Sequence, residues 1–231
     1  LSSISIIPEA DKVTGRKPLY QMAQLKPIAR FTADPTVLVV RADSPWKTLP
    51  EFIAAVRSKP GAYSFGSSGN YGTMHLPMEM LKSEARLHLL HVPYTGAAPA
   101  VMALLSDQVT ALSTGPASVA QHVKAGKLRV LAHWGTEPLA AFPGVPSLKE
   151  AGHPVEFAQW SGLFVPADTP EPVIAKLREA ARFAASDPLV RQTMTTAGSP
   201  LQYLDTPEFQ AYIAADAKKL KEAVHKIGKV E

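Results

Sequence analysis

The residues best suited to chemistry lie in one segment, Tyr63 to His75, which reads Tyr-Ser-Phe-Gly-Ser-Ser-Gly-Asn-Tyr-Gly-Thr-Met-His. A strand-like run feeds a loop of small residues, and the loop feeds a helix start. Unpaired backbone N–H groups and the positive end of a helix dipole converge at such a junction. Gly66, Gly69 and Gly72 let a ligand approach the backbone, while Ser67, Ser68, Asn70 and Thr73 add neutral donors. The set suits a carboxylate or a similar anion. Thr95-Gly96 and Thr114-Gly115-Pro116-Ala117-Ser118 read as two more strand-to-helix junctions of the same kind. None of the three carries Lys or Arg, which favours a small carboxylate over a tightly held phosphate. The plain alternative at each junction is an ordinary Ser or Thr helix cap.

Familiar catalytic motifs do not fit. No Gly-Lys-Ser/Thr follows the loop, so it is not a Walker A sequence, and its glycines are not spaced G-x-G-x-x-G. Gly66-Ser67-Ser68-Gly69 lacks the spacing of a nucleophile elbow. The seven histidines are dispersed. His88 and His91 read as part of one strand, where a spacing of three points them to opposite faces and away from a shared metal. His75 could act as a base for Ser67 or Ser68, but no acid stands ready to orient it, and a lone His is a poor triad member. Glu79 reads as a solvated helix residue. Trp134, Trp160 and Phe164 are candidates to line a cleft, with core packing the better reading for Phe164. No catalytic residue, metal site or cofactor is expected.

The elements that must position these residues follow from composition and punctuation. The chain has 231 residues, 46% hydrophobic and 19% charged, and 24 Lys plus Arg against 20 Asp plus Glu give a net charge of +4. This is a globular composition, enough for one large domain or two small ones. Basic residues are scattered apart from Lys218, Lys219 and Lys221, so no nucleic-acid stripe forms. There are 0 cysteines, which excludes disulfides and thiol chemistry. No apolar run reaches the ~20 residues of a membrane span. From Thr36 to Ala132, strand-like runs alternate with helical ones, implying βα units and a mostly parallel sheet covered on both faces. Thr48 and Glu51 have capping-box spacing for a helix to about Ser58. A helix from about Thr73 to Glu84 would carry Pro77 one turn in, where it removes a hydrogen bond. Thr169-Pro170, Asp187-Pro188 and Thr206-Pro207 each place a capping residue before a Pro at the first helical position.

Several segments in order resemble one known family: Tyr63 to His75, His91-Val-Pro-Tyr-Thr-Gly-Ala-Ala-Pro99, His122 to Ala132, Pro143 to Gly152, Gln159 to Ala167 and Thr169-Pro-Glu-Pro172. The chain resembles the Bug/TctC family, the extracytoplasmic solute receptors of tripartite tricarboxylate transporters, from about Leu25 to Lys229. The resemblance implies an α/β, type II periplasmic binding protein fold, with two lobes joined by crossover strands near Val37 to Val40 and Trp160 to Val165. Lobe 1 would comprise 1–39 and 160–231, and lobe 2 would comprise 40–159. It implies a periplasmic protein that captures a small organic carboxylate between the lobes and passes it to the membrane subunits of a transporter. The matching ligand positions are Ser67, Ser68, Gly69, Asn70, Gly72 and Thr73, then Thr114, Gly115 and Pro116, with Thr95 and Trp160 as weaker carry-overs.

Two departures from the family pattern stand out. The family's acidic residue after a Gly-Gln-Val stretch is missing where this chain has Asp107-Gln-Val-Thr110. The family's opening strand, Gly-rich loop and helix, and the βα unit after them, have no counterpart here. Leu1 to Ile7 has no signal-peptide character. The expectation is a truncated chain whose first lobe is incomplete, with weakened ligand affinity or self-association through the exposed face. The competing readings are the effector-sensing domain of a regulator and a serine hydrolase built on Ser67 or Ser68 with His75.

Overall fold

The computed structural model describes residues 2–229. Leu1, where the expectation of a processed or truncated start falls, lies outside them. The chain divides into two compact units, Leu1–Ala33 with Gln159–Glu231, and Asp34–Ala158.

The continuous unit carries the three junctions. Its strands are β2 (Val37–Arg41), β3 (Ser64–Ser67), β4 (Leu90–Pro93), β5 (Ala111–Thr114) and β6 (Leu128–His133), following a longer β1 (Leu25–Pro35). They form one sheet in the order β4-β3-β5-β2-β6. β3 runs parallel to both β4 and β5, whereas β2 pairs antiparallel with β5 and with β6. The sheet is thus mostly parallel, as the alternating pattern suggests, but its β-branched strand Val37–Arg41 runs against the others. The connecting helices are α2 (Leu49–Ser58), α3 (Leu76–Ala85), α4 (Ala97–Leu105) and α5 (Pro116–Lys124), preceded in the chain by α1 (Ser3–Val13). Val37, Val39, Leu112 and Val130 from the sheet pack with Val101, Leu104 and Val119 from α4 and α5. The Thr48–Glu51 capping box forms, with Thr48 Oγ1 accepting from the Glu51 amide and Glu51 returning to the Thr48 amide.

Two expectations for this unit are corrected. α3 begins at Leu76, so Pro77 sits in the first turn, where its missing N–H removes no helical hydrogen bond. Trp134 lines no cleft: it is fully buried and its Nε1–H donates to the Pro77 carbonyl at 3.1 Å. An indole ring in a core needs an acceptor for its one polar atom, and the start of α3 supplies it.

The other unit is built from α1, β1, β7 (Ala158–Pro166), α6 (Glu171–Ser186), α7 (Pro188–Thr196) and α8 (Thr206–Ile227), with β1 and β7 forming a two-stranded sheet. α1 lies along α8. No sequence signal marks α1, because Pro8 falls inside it. Ile28, Ala29, Ile174 and Ala181 form one buried cluster, and Ala33, Trp160, Phe209 and Ile213 another. Phe164 joins the second, edge-on to Phe209. Asp187 caps α7 as expected, but Pro170 itself precedes α6 without a side-chain cap. The cap of α8 is Asp205, held by Arg178 at 3.0 Å through two bonds; the Thr206 hydroxyl donates instead to the Ile28 carbonyl. Among the described residues, no helix is long and apolar enough to cross a membrane.

Candidate functional site

Because β4, β3 and β5 are parallel neighbours, their carboxyl ends lie side by side, and α3, α4 and α5 all start at that edge. The junctions are tied to one another. The Tyr94 amide after β4 donates to the Ser67 carbonyl at 2.9 Å, and the Ser113 hydroxyl of β5 donates to the Met74 carbonyl ahead of α3. Gly66 is where the strands meet: a Cβ there would lie 2.7 Å from Leu112 and 3.4 Å from the Tyr94 ring.

The loop after β3 is held by a specific set of bonds. Ser67 is fully buried, and its Oγ lies 2.6 Å from His91 Nε2. The Gly69 amide donates to the same oxygen at 3.1 Å. The Gly72 amide donates to the Gly69 carbonyl, and the amides of His75 and Leu76 both donate to the Gly72 carbonyl. Two residues here take positive φ, Gly69 at 122° and Tyr71 at 56°. The strained Tyr71 is secured by its amide, which donates to His75 Nδ1 at 2.9 Å. Among the described residues, the amides of Ser68, Asn70 and Thr73 find no acceptor within the chain, and Asn70 is exposed. At the second junction Thr95 is exposed and Gly96 precedes α4. At the third, Gly115 precedes α5 and Pro116 occupies its first turn; Thr114 is buried, and its Oγ1 lacks a hydrogen-bond partner.

The electrostatics differ from the expectation in three places. Ser67 is paired with His91, not His75. The His75 ring faces the loop through Nδ1 and leaves Nε2 3.6 Å from Glu79 Oε1. Glu79 is not a solvated helix residue: its side chain is 14% exposed and ion-paired to Lys82 at 2.6 Å. Burial alone would raise its pKa, but the facing His75 ring and the hydrogen-bonded Lys82 ammonium outweigh burial and hold the carboxylate below its ordinary range. The His91 ring is pushed down to about 4, chiefly by burial and then by the neighbouring His75, so it is neutral at pH 7. His91 stacks on His75 with centroids 4.0 Å apart, and on Phe65 at 4.9 Å. No signal in the sequence distinguished His91. His88 is exposed and lies ahead of β4, so the two histidines do not share a strand as expected, and nothing in the segment hints that His91 reaches Ser67 on β3.

Trp160 belongs to the other unit, 1% exposed, with its Nε1–H donating to Asp216 Oδ2 at 2.7 Å. Burial raises the Asp216 pKa, and Arg30 stacks over the neighbouring Tyr212 ring at 4.4 Å.

A family model described as tripartite tricarboxylate transporter family receptor matches residues 12–229. The chain belongs to this receptor family. It is 36% identical over 191 residues to a UPF0065 protein of Cupriavidus necator, covering 83% of this chain and 58% of that protein. The chain therefore spans little more than half the length of that curated relative. A solved structure described as a periplasmic transporter superposes with a TM-score of 0.89 at 30% identity, covering 97% of this chain and 75% of that one. MatC from Rhodopseudomonas palustris, solved with bound malate, gives a TM-score of 0.82 at 26% identity, with 93% and 75% covered. The fold is that of periplasmic binding proteins, as the resemblance implied, and the matched family is one of receptors.

Proposed function

We propose that this protein is a periplasmic solute receptor that holds a small organic carboxylate at the carboxyl edge of β4, β3 and β5 and hands it to a tripartite transporter in the membrane. The observation that carries this reading is the junction of Ser67 to Leu76. It offers uncommitted amides at Ser68, Asn70 and Thr73 ahead of α3, with no cationic side chain in any of the three junction segments. Donors of this kind neutralise a carboxylate by dipoles and hydrogen bonds, so the guest can be released without breaking an ion pair. Ser68, Gly69, Asn70, Gly72 and Thr73 form the floor, Thr95 and Gly115 the flanks. Ser67, Thr114 and Pro116 shape the edge from below. Ser67 is fully buried and its hydroxyl is engaged by His91 and by the Gly69 backbone, so it shapes the loop rather than facing a substrate.

The test is a thermal-shift panel of mono-, di- and tricarboxylates on this chain. A ligand at about 100 times its Kd adds about 2.7 kcal/mol of stability. At least one carboxylate is expected to raise the melting temperature in a saturable way, and Asn70→Pro, which removes a loop amide, is expected to abolish that shift. A flat response to every acid in the panel would remove the receptor reading.

A further inference from the structure

The bonds beneath the loop follow an alternating pattern. Ser67 Oγ takes the Gly69 amide and His75 Nδ1 takes the Tyr71 amide, at 3.1 and 2.9 Å. The intervening amides of Ser68 and Asn70 are the ones without an internal acceptor among the described residues. From Ser68 to Tyr71 every second N–H is thus drawn inward, and Gly72 then donates to the Gly69 carbonyl. The Ser67 hydroxyl also donates to the Gly69 carbonyl at 3.1 Å, and each inward anchor involves an imidazole, the two rings touching each other. His91 is 2.6 Å from Ser67 Oγ, and its ring lies 4.0 Å from that of His75, nearly parallel at 22°. Phe65 stacks on both histidines, 4.9 Å from His91 and 6.0 Å from His75. Tyr71 closes the group edge-on to His75 at 5.9 Å.

We propose that His91 and His75 are positioning residues: a pair of stacked, uncharged imidazoles that pins the inward amides of the loop and so leaves the alternate amides for the ligand. This rests on the receptor reading above, which places the ligand at the same loop.

Each ring has a reason to be neutral. His75 accepts an amide N–H at Nδ1, so its proton sits on Nε2, facing Glu79. A second proton would turn Nδ1 into a donor aimed at the Tyr71 N–H. Without that bond Tyr71, a bulky residue at positive φ, loses one of the contacts that hold it in the left-handed region. His91 faces three ionisable groups, His75, Glu79 and Lys82. Burial, His75 and Lys82 disfavour a charge on its ring, while Glu79 favours it. Lys82 pairs with Glu79 at 2.6 Å and lies over the Phe65 ring at 5.2 Å. His75 Nε2 is buried without a hydrogen-bond partner, 3.6 Å from the Glu79 carboxylate.

The experiment uses this chain with 15N-labelled imidazoles, amide hydrogen exchange at Gly69 and Tyr71, and malate titration. His75 is expected as the Nε2–H tautomer, and both amides are expected to be protected in the free protein. His91→Phe keeps the stack and removes the bond to Ser67. It is expected to lower protection at Gly69 and malate affinity by about tenfold each, the scale of one lost buried hydrogen bond. His91→Gln, which can still bond the Ser67 hydroxyl, is expected to restore most of both. An Nδ1–H tautomer at His75, or unchanged protection at Gly69 in His91→Phe, would overturn the proposal. If the wild-type chain binds no malate or other carboxylate, the receptor reading fails, while tautomer and exchange still decide the role of the two rings.

Discussion

His91 couples the loop to the stability of the molecule. Its ordinary pKa is near 6.5 and its folded value is about 4. Between these values the unfolded chain binds a proton that the folded chain does not, so stability declines as pH falls from about 6.5 to about 4 and levels off below. The full shift would correspond to about 3 kcal/mol, but the ring is only half-buried, and solvent screening reduces this to about 1–2 kcal/mol. Urea denaturation at pH 7 and pH 4.5 is expected to show that loss in the wild type, and His91→Gln is expected to remove this part of the slope. Glu79, held below its ordinary range, contributes in the same direction only at lower pH, where it protonates. A wild-type slope unchanged by the substitution would assign the loss elsewhere.

Three helix starts in this chain, those of α2, α7 and α8, are closed by side-chain caps. Thr48 closes a reciprocal box with Glu51 at an exposed site, so Thr48→Ala is expected to cost about 1 kcal/mol. Asp205 caps α8 and also receives Arg178, with Arg182 at 3.2 Å. Asp205→Ala is therefore expected to cost more than Thr48→Ala, and thermal melts of the two variants in one buffer would order them. Equal losses would mean that the Arg178 and Arg182 contacts contribute nothing. These elements also mark how far residue patterns reach. Thr48, Asp187 and the prolines announce their helices because a cap is a local bond between neighbours in sequence. The Gly- and Ser-rich loop before α3 was legible for the same reason. The reversal of β2 was not, since a run of β-branched residues has no direction until it finds partners. α1 was hidden by Pro8, and the cap of α8 shifted by one residue because Thr206 found an acceptor on the distant Ile28. The His91–Ser67 contact joins residues on neighbouring strands and leaves no trace in either segment.

At the scale of the whole chain, the two units differ in how they are encoded. Asp34–Ala158 is one uninterrupted stretch, whereas the other unit needs residues from both ends of the sequence. The uninterrupted stretch owns a complete five-stranded sheet, with β2 inserted between β5 and β6. It also owns a buried cluster drawn from the sheet, α4 and α5, extended by Met74 and Phe142. A sheet of this size with helices packed on it exceeds the minimum for independent stability. Expressed alone, residues 34–158 are expected to unfold in a single cooperative transition, and to protect the Gly69 and Tyr71 amides as the full chain does, because Ser67 and His75, which accept from those amides, and His91 beside them lie inside the fragment. Circular dichroism melts and amide exchange on the fragment check both points. A broad, non-cooperative melt would show that this unit depends on the other for its fold. A cooperative melt with an unprotected loop would show instead that the sheet is autonomous, while the order of its carboxyl edge is imposed from outside.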